Sequence, residues 1–185
     1  MQISLNPGKS AGFEVPLEML AACHGRVEAQ CATLARLVEH LGRVGADADA
    51  GQAAAAIRRY FGTAAVHHHA DEEQDLFPAL IEAMAGSDAV CIRQMTERLR
   101  GEHRQLEAMW AQLDDALQAV ERGEAGALDA ERVQAFSDAY AAHIAYEETE
   151  LLPMAARLLA DDQIDALGRA MRERRGVSLP DDRDR

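Results

Sequence analysis

Four histidines and two glutamates, His24, His68, His103, His143, Glu72 and Glu147, are the residues whose type and spacing point to chemistry. His68 and Glu72 stand four apart, as do His143 and Glu147, and that spacing puts both side chains one turn apart on one face of a helix. An imidazole and a carboxylate so placed reach one metal ion or two neighbouring ones, with the glutamates able to bridge two cations. The stretch HHADEEQDLFP from His68 matches HIAYEETELLP from His143 almost position for position. A looser form, His followed by Glu four residues on and then Ala, recurs at His24–Glu28 and His103–Glu107.

Imidazole plus carboxylate without thiolate suits iron, zinc or manganese. A closed structural zinc site needs only four ligands, so six good candidates argue for two ions. Di-iron bundles that activate oxygen are richer in carboxylate and use the order Glu-x-x-His. The histidine-rich, reversed order here suits binding of a small ligand. Each pair taken alone reads as a solvated surface pair, and His67, His68 and His69 as a surface run with at most one inward histidine. The glutamate doublets read alone as exposed charge, and Pro78 and Pro153 as marks of a kink or helix end. The joint pattern over four helices makes the metal reading the stronger one.

Those residues need four long helices to position them. Pro16 suits the first turn of the first helix, which runs to the glycine-rich segment 42–51. The second spans about 52–84 and stops at Gly86-Ser87-Asp88, where Ser87 or Asp88 can cap a third helix reaching Glu121. A fourth covers about 127–159, and a short amphipathic helix about 162–173. Apolar residues recur at steps of three and four: Leu17, Leu20, Val27, Cys31, Leu34, Val38 and Leu41 in the first helix. The third repeats this with Ile92, Met95, Leu99, Leu106, Trp110, Leu113, Leu117 and Val120, and the fourth with Val133, Phe136, Tyr140, Leu151, Met154 and Leu158. The places missing from these rows hold His24, His103, and His143 with Glu147. A carboxylate in a core stripe costs several kcal/mol unless a compensating charge faces it, and a cation provides one. The expected fold is all-α: an up-down-up-down antiparallel four-helix bundle over 12–160, then a short helix and polar tail over 161–185.

A chain of 185 residues with 48% apolar and 28% charged residues is long enough for one domain with a sizeable core. A net charge of −13 disfavours nucleic acid and anionic lipid as partners. Arg169, Arg172, Arg174 and Arg175 form a basic group offset by Asp181, Asp182 and Asp184. Three cysteines, Cys23, Cys31 and Cys91, make neither a disulfide framework nor a zinc site, and Cys23 reads as a small buried hydrophobe. Without a leader-like start or a long apolar run, the expected compartment is the cytoplasm. One lysine against eighteen arginines points to a GC-rich bacterial source.

At these residues the chain resembles the hemerythrin-like family of HHE cation-binding domains, over about 15–160. The marks are LEMLAACHGRVE, HHHADEEQDLFP, EHRQLE and HIAYEETELLP. The resemblance implies a non-haem di-iron centre of the Fe–O–Fe type, bridged by two carboxylates, with one iron open to dioxygen or nitric oxide. His24, His68, His103 and His143 then look like terminal ligands, and Glu72 and Glu147 like bridges. Oxygen-carrying members have two histidines a turn apart on the third helix, whereas this chain has only His103. Glu107, a water, His67 or His69 is left to supply the missing ligand, and Glu73 and Glu148 stand one residue from the chosen bridges.

The expected task is binding or sensing of O2, NO or a related oxidant, without turnover as the main role. Two other readings are an enzyme of peroxide or NO detoxification or iron-centre repair, and a bundle whose metal is purely structural. Any sensory output would pass through a protein partner, a homodimer included.

Overall fold

The computed structural model describes residues 12–83 and 89–177. The expected stop at Gly86-Ser87-Asp88, the cap at Ser87 or Asp88, and the aspartates of the tail lie outside the described residues. Among the described residues the chain is all-helical, with no strand. Helix α1 is Pro16–Arg43, with proline in its first turn. A short turn through Gly45, whose φ of 95° suits glycine, leads to α2, residues 48–83. It starts four residues before the expected 52 because Asp47 accepts a hydrogen bond from the Ala50 N–H at 2.9 Å and caps it. Helix α3 is Ala89–Glu121. Helix α4, residues 130–158, is capped by Asp129. Helix α5, Asp161–Arg174, extends the expected 162–173 by one residue at each end.

Helices α2 and α4 contain wider, π-type turns at Phe61–Ala65, Glu72–Leu76 and Glu147–Leu151. The last two fall at the same place in the matched motifs. In each, the turn closes with an N–H to a carbonyl five residues back, Phe77 to Glu72 and Leu152 to Glu147. A proline comes directly after; its ring crowds the carbonyl four residues back and it donates no hydrogen bond. The wider turn relieves that crowding. One extra residue also rotates the downstream helix by roughly 100°. Leu152 and Ala155 therefore enter the core beyond the turn, while the expected Met154 and Leu158 are only half-buried.

Two apolar clusters result. One joins Val27–Leu41 of α1, Ala50–Ala65 of α2, Leu106–Val120 of α3 and Val133–Ile144 of α4. The other joins Leu20 of α1, Leu76, Phe77 and Leu80 of α2, Ile92–Leu99 of α3 and Leu151–Ala155 of α4. Leu167 and Met171 of α5 belong to this second cluster, so the C-terminal helix is packed into the core. Gly168 lets it approach closely, since a Cβ there would collide with the Phe13 carbonyl. In every long helix the chemistry-bearing residues fall between the stretches that feed the two clusters.

Candidate metal centre

Each long helix delivers its histidine or glutamate to this middle layer. His24, Glu72, His103 and Glu147 are at most 1% exposed, His68 and His143 2%, and His69 7%. Two groups of potential ligand atoms share members: His24, His68, Glu72 and Glu147, and Glu72, His103, His143 and Glu147. Within each group the atoms lie within 4.8 Å of one another, and His69, His103 and His143 form a third such set. Both groups contain Glu72 and Glu147.

The contacts inside the layer are short but poorly directed for hydrogen bonding. His24 Nε2 lies 3.1 Å from Glu147 Oε2, and His143 Nε2 3.1 Å from Glu147 Oε1. His103 Nε2 and His68 Nε2 approach the two Glu72 oxygens at 3.3 and 3.4 Å. Among the described residues, nine buried side-chain atoms have no hydrogen-bond partner, and all belong to this layer. They include the four carboxylate oxygens of Glu72 and Glu147 and the Nε2 atoms of His24, His69, His103 and His143. A buried polar atom left unpaired costs about 1–3 kcal/mol, so nine together fit a cation whose ligands turn toward it.

The outer nitrogens are held. His103 Nδ1 donates to Glu73 at 2.7 Å, His24 Nδ1 to Glu148 at 3.1 Å and His143 Nδ1 to Glu102 at 2.9 Å. Such carboxylate–histidine pairs fix the tautomer and the ring, leaving the other nitrogen free to ligate. This separates the members of each doublet: Glu72 and Glu147 are fully buried inside, whereas Glu73 and Glu148 are 30% and 49% exposed outside. Glu102 escaped the sequence reading. The signal was its place directly before His103, where Cys23 stands before His24. His68 Nδ1, the counterpart of the nitrogen that Glu102 holds, has no partner.

Of the residues left open beside His103, one joins the layer. Glu107 is exposed and joins none of the groups, and the same is true of Glu28. His67 is half-buried and also outside. His69 is the residue that points inward, stacked on His103 with ring centroids 4.0 Å apart. The run at 67–69 thus buries two histidines, more than a surface run would.

Charge in the layer is strongly coupled. Burial and the Glu147 charge push Glu72 up to about 7. Burial alone would raise Glu147 too, but the His103, His143 and His24 rings that face it hold it well below the usual range. Burial disfavours the charged ring of His103, yet Glu147, Glu72 and Glu73 outweigh it and raise it to about 10. His68, buried and facing other histidines, falls to about 3, and His69 is lowered for the same reasons. Protons on some rings therefore balance the carboxylates where a cation would.

This buried layer of histidine and shared glutamate is what a cation-binding helical domain requires. The model of the hemerythrin HHE cation binding domain matches residues 15–155, and the chain belongs to that family. It is also 32% identical over 177 residues to an uncharacterized protein of Haemophilus influenzae, covering 96% of this chain and 99% of the relative.

Proposed function

We propose that the layer holds two iron ions and that the protein binds or senses a small oxidant, dioxygen or nitric oxide. His24 and His68 would hold one ion and His103 and His143, with His69 beside them, the other, and Glu72 and Glu147 would be shared between the two. The observation that carries this reading is the sharing of two fully buried, unpartnered glutamates between two ligand groups. Each half offers four protein ligands, but His69 adds a further ring beside His103 and His143, so the small ligand would belong on the His24–His68 side. When bound there, an iron pair would supply redox chemistry toward a diatomic ligand.

The chain's own residues do the rest. Glu73, Glu148 and Glu102 orient three rings, and the apolar clusters on either side keep bulk water away. The alternation of helix halves between the clusters supports an up-down-up-down bundle. No helix among the described residues is long and apolar enough to cross a membrane. All three cysteines are free, which supports a reducing, cytoplasmic setting, and the charge of −13 argues against nucleic acid.

Freshly isolated protein should contain two irons per chain, and anaerobic reduction followed by air should generate a visible absorption band. A colourless protein without stoichiometric iron would overturn the reading. Consumption of H2O2 or NO beyond two equivalents per chain would turn it toward an enzyme.

A further inference from the structure

The residue between the ligand pairs of α2 is itself a buried acid. Asp71 is 0% exposed, directly before Glu72 and two after His69. Both its oxygens are taken at the C-terminal end of α5: Arg175, directly after the helix, donates to Oδ2 at 2.6 Å and to Oδ1 at 3.1 Å, and Arg174, its last residue, also donates to Oδ1. Arg174 reaches on to Asp75 at 2.6 Å and the Gln74 side chain at 3.1 Å. Arg175 is fixed in turn by the Met171 carbonyl at 2.8 Å. The two guanidiniums are 17% and 16% exposed. They thus span the outer face of the Glu72–Leu76 turn, whose inner face carries Glu72. Helix α5 lies beyond residues 15–155, the part matched by the family model.

We propose that α5 is a positioning element of the metal centre, acting through an Arg174–Arg175–Asp71 clasp that sets the stretch from His68 into the Glu72–Leu76 turn. The sequence DEEQD, residues 71–75, puts four carboxylates into five positions. Cations on the inside can balance Glu72, but Asp71 is walled off from them and would repel it at close range. Two arginines neutralise Asp71 from outside, and their planar forks fix its direction. With the clasp intact, this stretch holds His68 and His69 against partners on α1 and α3. Without it, an uncompensated buried carboxylate drives the turn outward, and the ligands it carries lose register.

The inference rests on the proposed metal centre and is tested by metal binding rather than by activity. Equilibrium binding of Fe(II) and Zn(II) is measured by competition with a chelator for the wild type, Arg174→Ala/Arg175→Ala and Arg172→Ala. Helicity and melting of each apo-protein are followed in parallel. Arg172 is the internal control: it is on α5 but pairs with the exposed Glu14.

The double variant should keep its helicity and lose about 10–100-fold in affinity, while Arg172→Ala stays within twofold of wild type. Should the double alanine variant not fold, Arg174→Lys/Arg175→Lys keeps both charges but not the forks, and should still lose about tenfold. Affinity within twofold of wild type in a folded double variant, lysine or alanine, overturns the clasp and leaves α5 a purely structural helix. Failure of the wild type to bind metal would instead count against the centre itself.

Discussion

Protons and cations compete for the same atoms at Glu72, Glu147 and the rings around them. In the apo-protein His103 is raised to about 10 and Glu72 to about 7, so the folded state holds protons that the unfolded chain releases. For both groups the stabilisation is complete below the unfolded value and is lost as pH rises through the folded one. Apo-protein should therefore melt at progressively lower temperature as pH is raised from about 7 to 10, above the range in which His68 and His69, kept neutral by burial, act in the opposite sense. Metal affinity should move the opposite way and rise with pH, because binding expels those protons. Calorimetry in buffers of different ionisation enthalpy will count them; a buffer-independent heat would contradict the protonated apo-state.

Single substitutions separate inner from outer carboxylates. Glu147→Gln should abolish loading of both ions. Glu73→Gln or Glu102→Gln should weaken binding about 10–100-fold by freeing the His103 or His143 ring. Glu107→Ala, on an exposed residue, should leave metal content and spectrum unchanged. Metal analysis after chelator challenge checks all four. Glu147 was legible as a carboxylate interrupting an apolar row, and Glu72 through the motif it shares with Glu147. The division of labour within each doublet was not, because neighbours one residue apart in a helix diverge by roughly 100° and only the facing helix decides which is enclosed.

For the elements, the wide turns matter most. Deleting Thr149 from the Glu147–Leu151 turn should restore ordinary helical phase with Leu152 and Ala155 still on the core face, but return the Pro153 ring to crowding the carbonyl four residues back. We expect helicity to be nearly retained, with metal binding lost and the melting temperature lowered. Circular dichroism and metal content distinguish this from simple unfolding. The row Leu151, Met154 and Leu158 assumed an unbroken period, so the sequence reading missed the phase shift. Pro153 marked the place, since a proline inside a helix must be accommodated by some local distortion. Its form, a turn widened at the bridging glutamate, depends on how the neighbouring helices take up the rotation.

Across the whole molecule, the same layer that binds cations separates the two apolar clusters. Its unpaired atoms oppose folding of the apo-protein, so metal should act as a stabiliser. At a free concentration one hundred times Kd, a single binding event adds about 2.7 kcal/mol. Chelation should lower the melting temperature by several degrees, with the transition depending on free metal concentration. An equal melting temperature with and without metal would show that the layer is already satisfied by protons. Because α5 is in the second cluster, loosening it is felt at the centre, and the basic group at its end is occupied inside the molecule. Arg172, Arg174 and Arg175 all have acidic partners on other elements.

By itself the sequence determined the helical segments and six residues of the layer. Period and composition act locally, and a polar residue in an apolar stripe is visible wherever it occurs. Tertiary structure decided what depends on two elements meeting. It chose His69 over Glu107 and His67, made Glu73, Glu148 and Glu102 the partners of outer nitrogens, and set Arg174 and Arg175 on Asp71 about a hundred residues away. A long-range ion pair leaves no periodic trace in the chain. Only burial, which removes the competing water, shows which of many charges face each other.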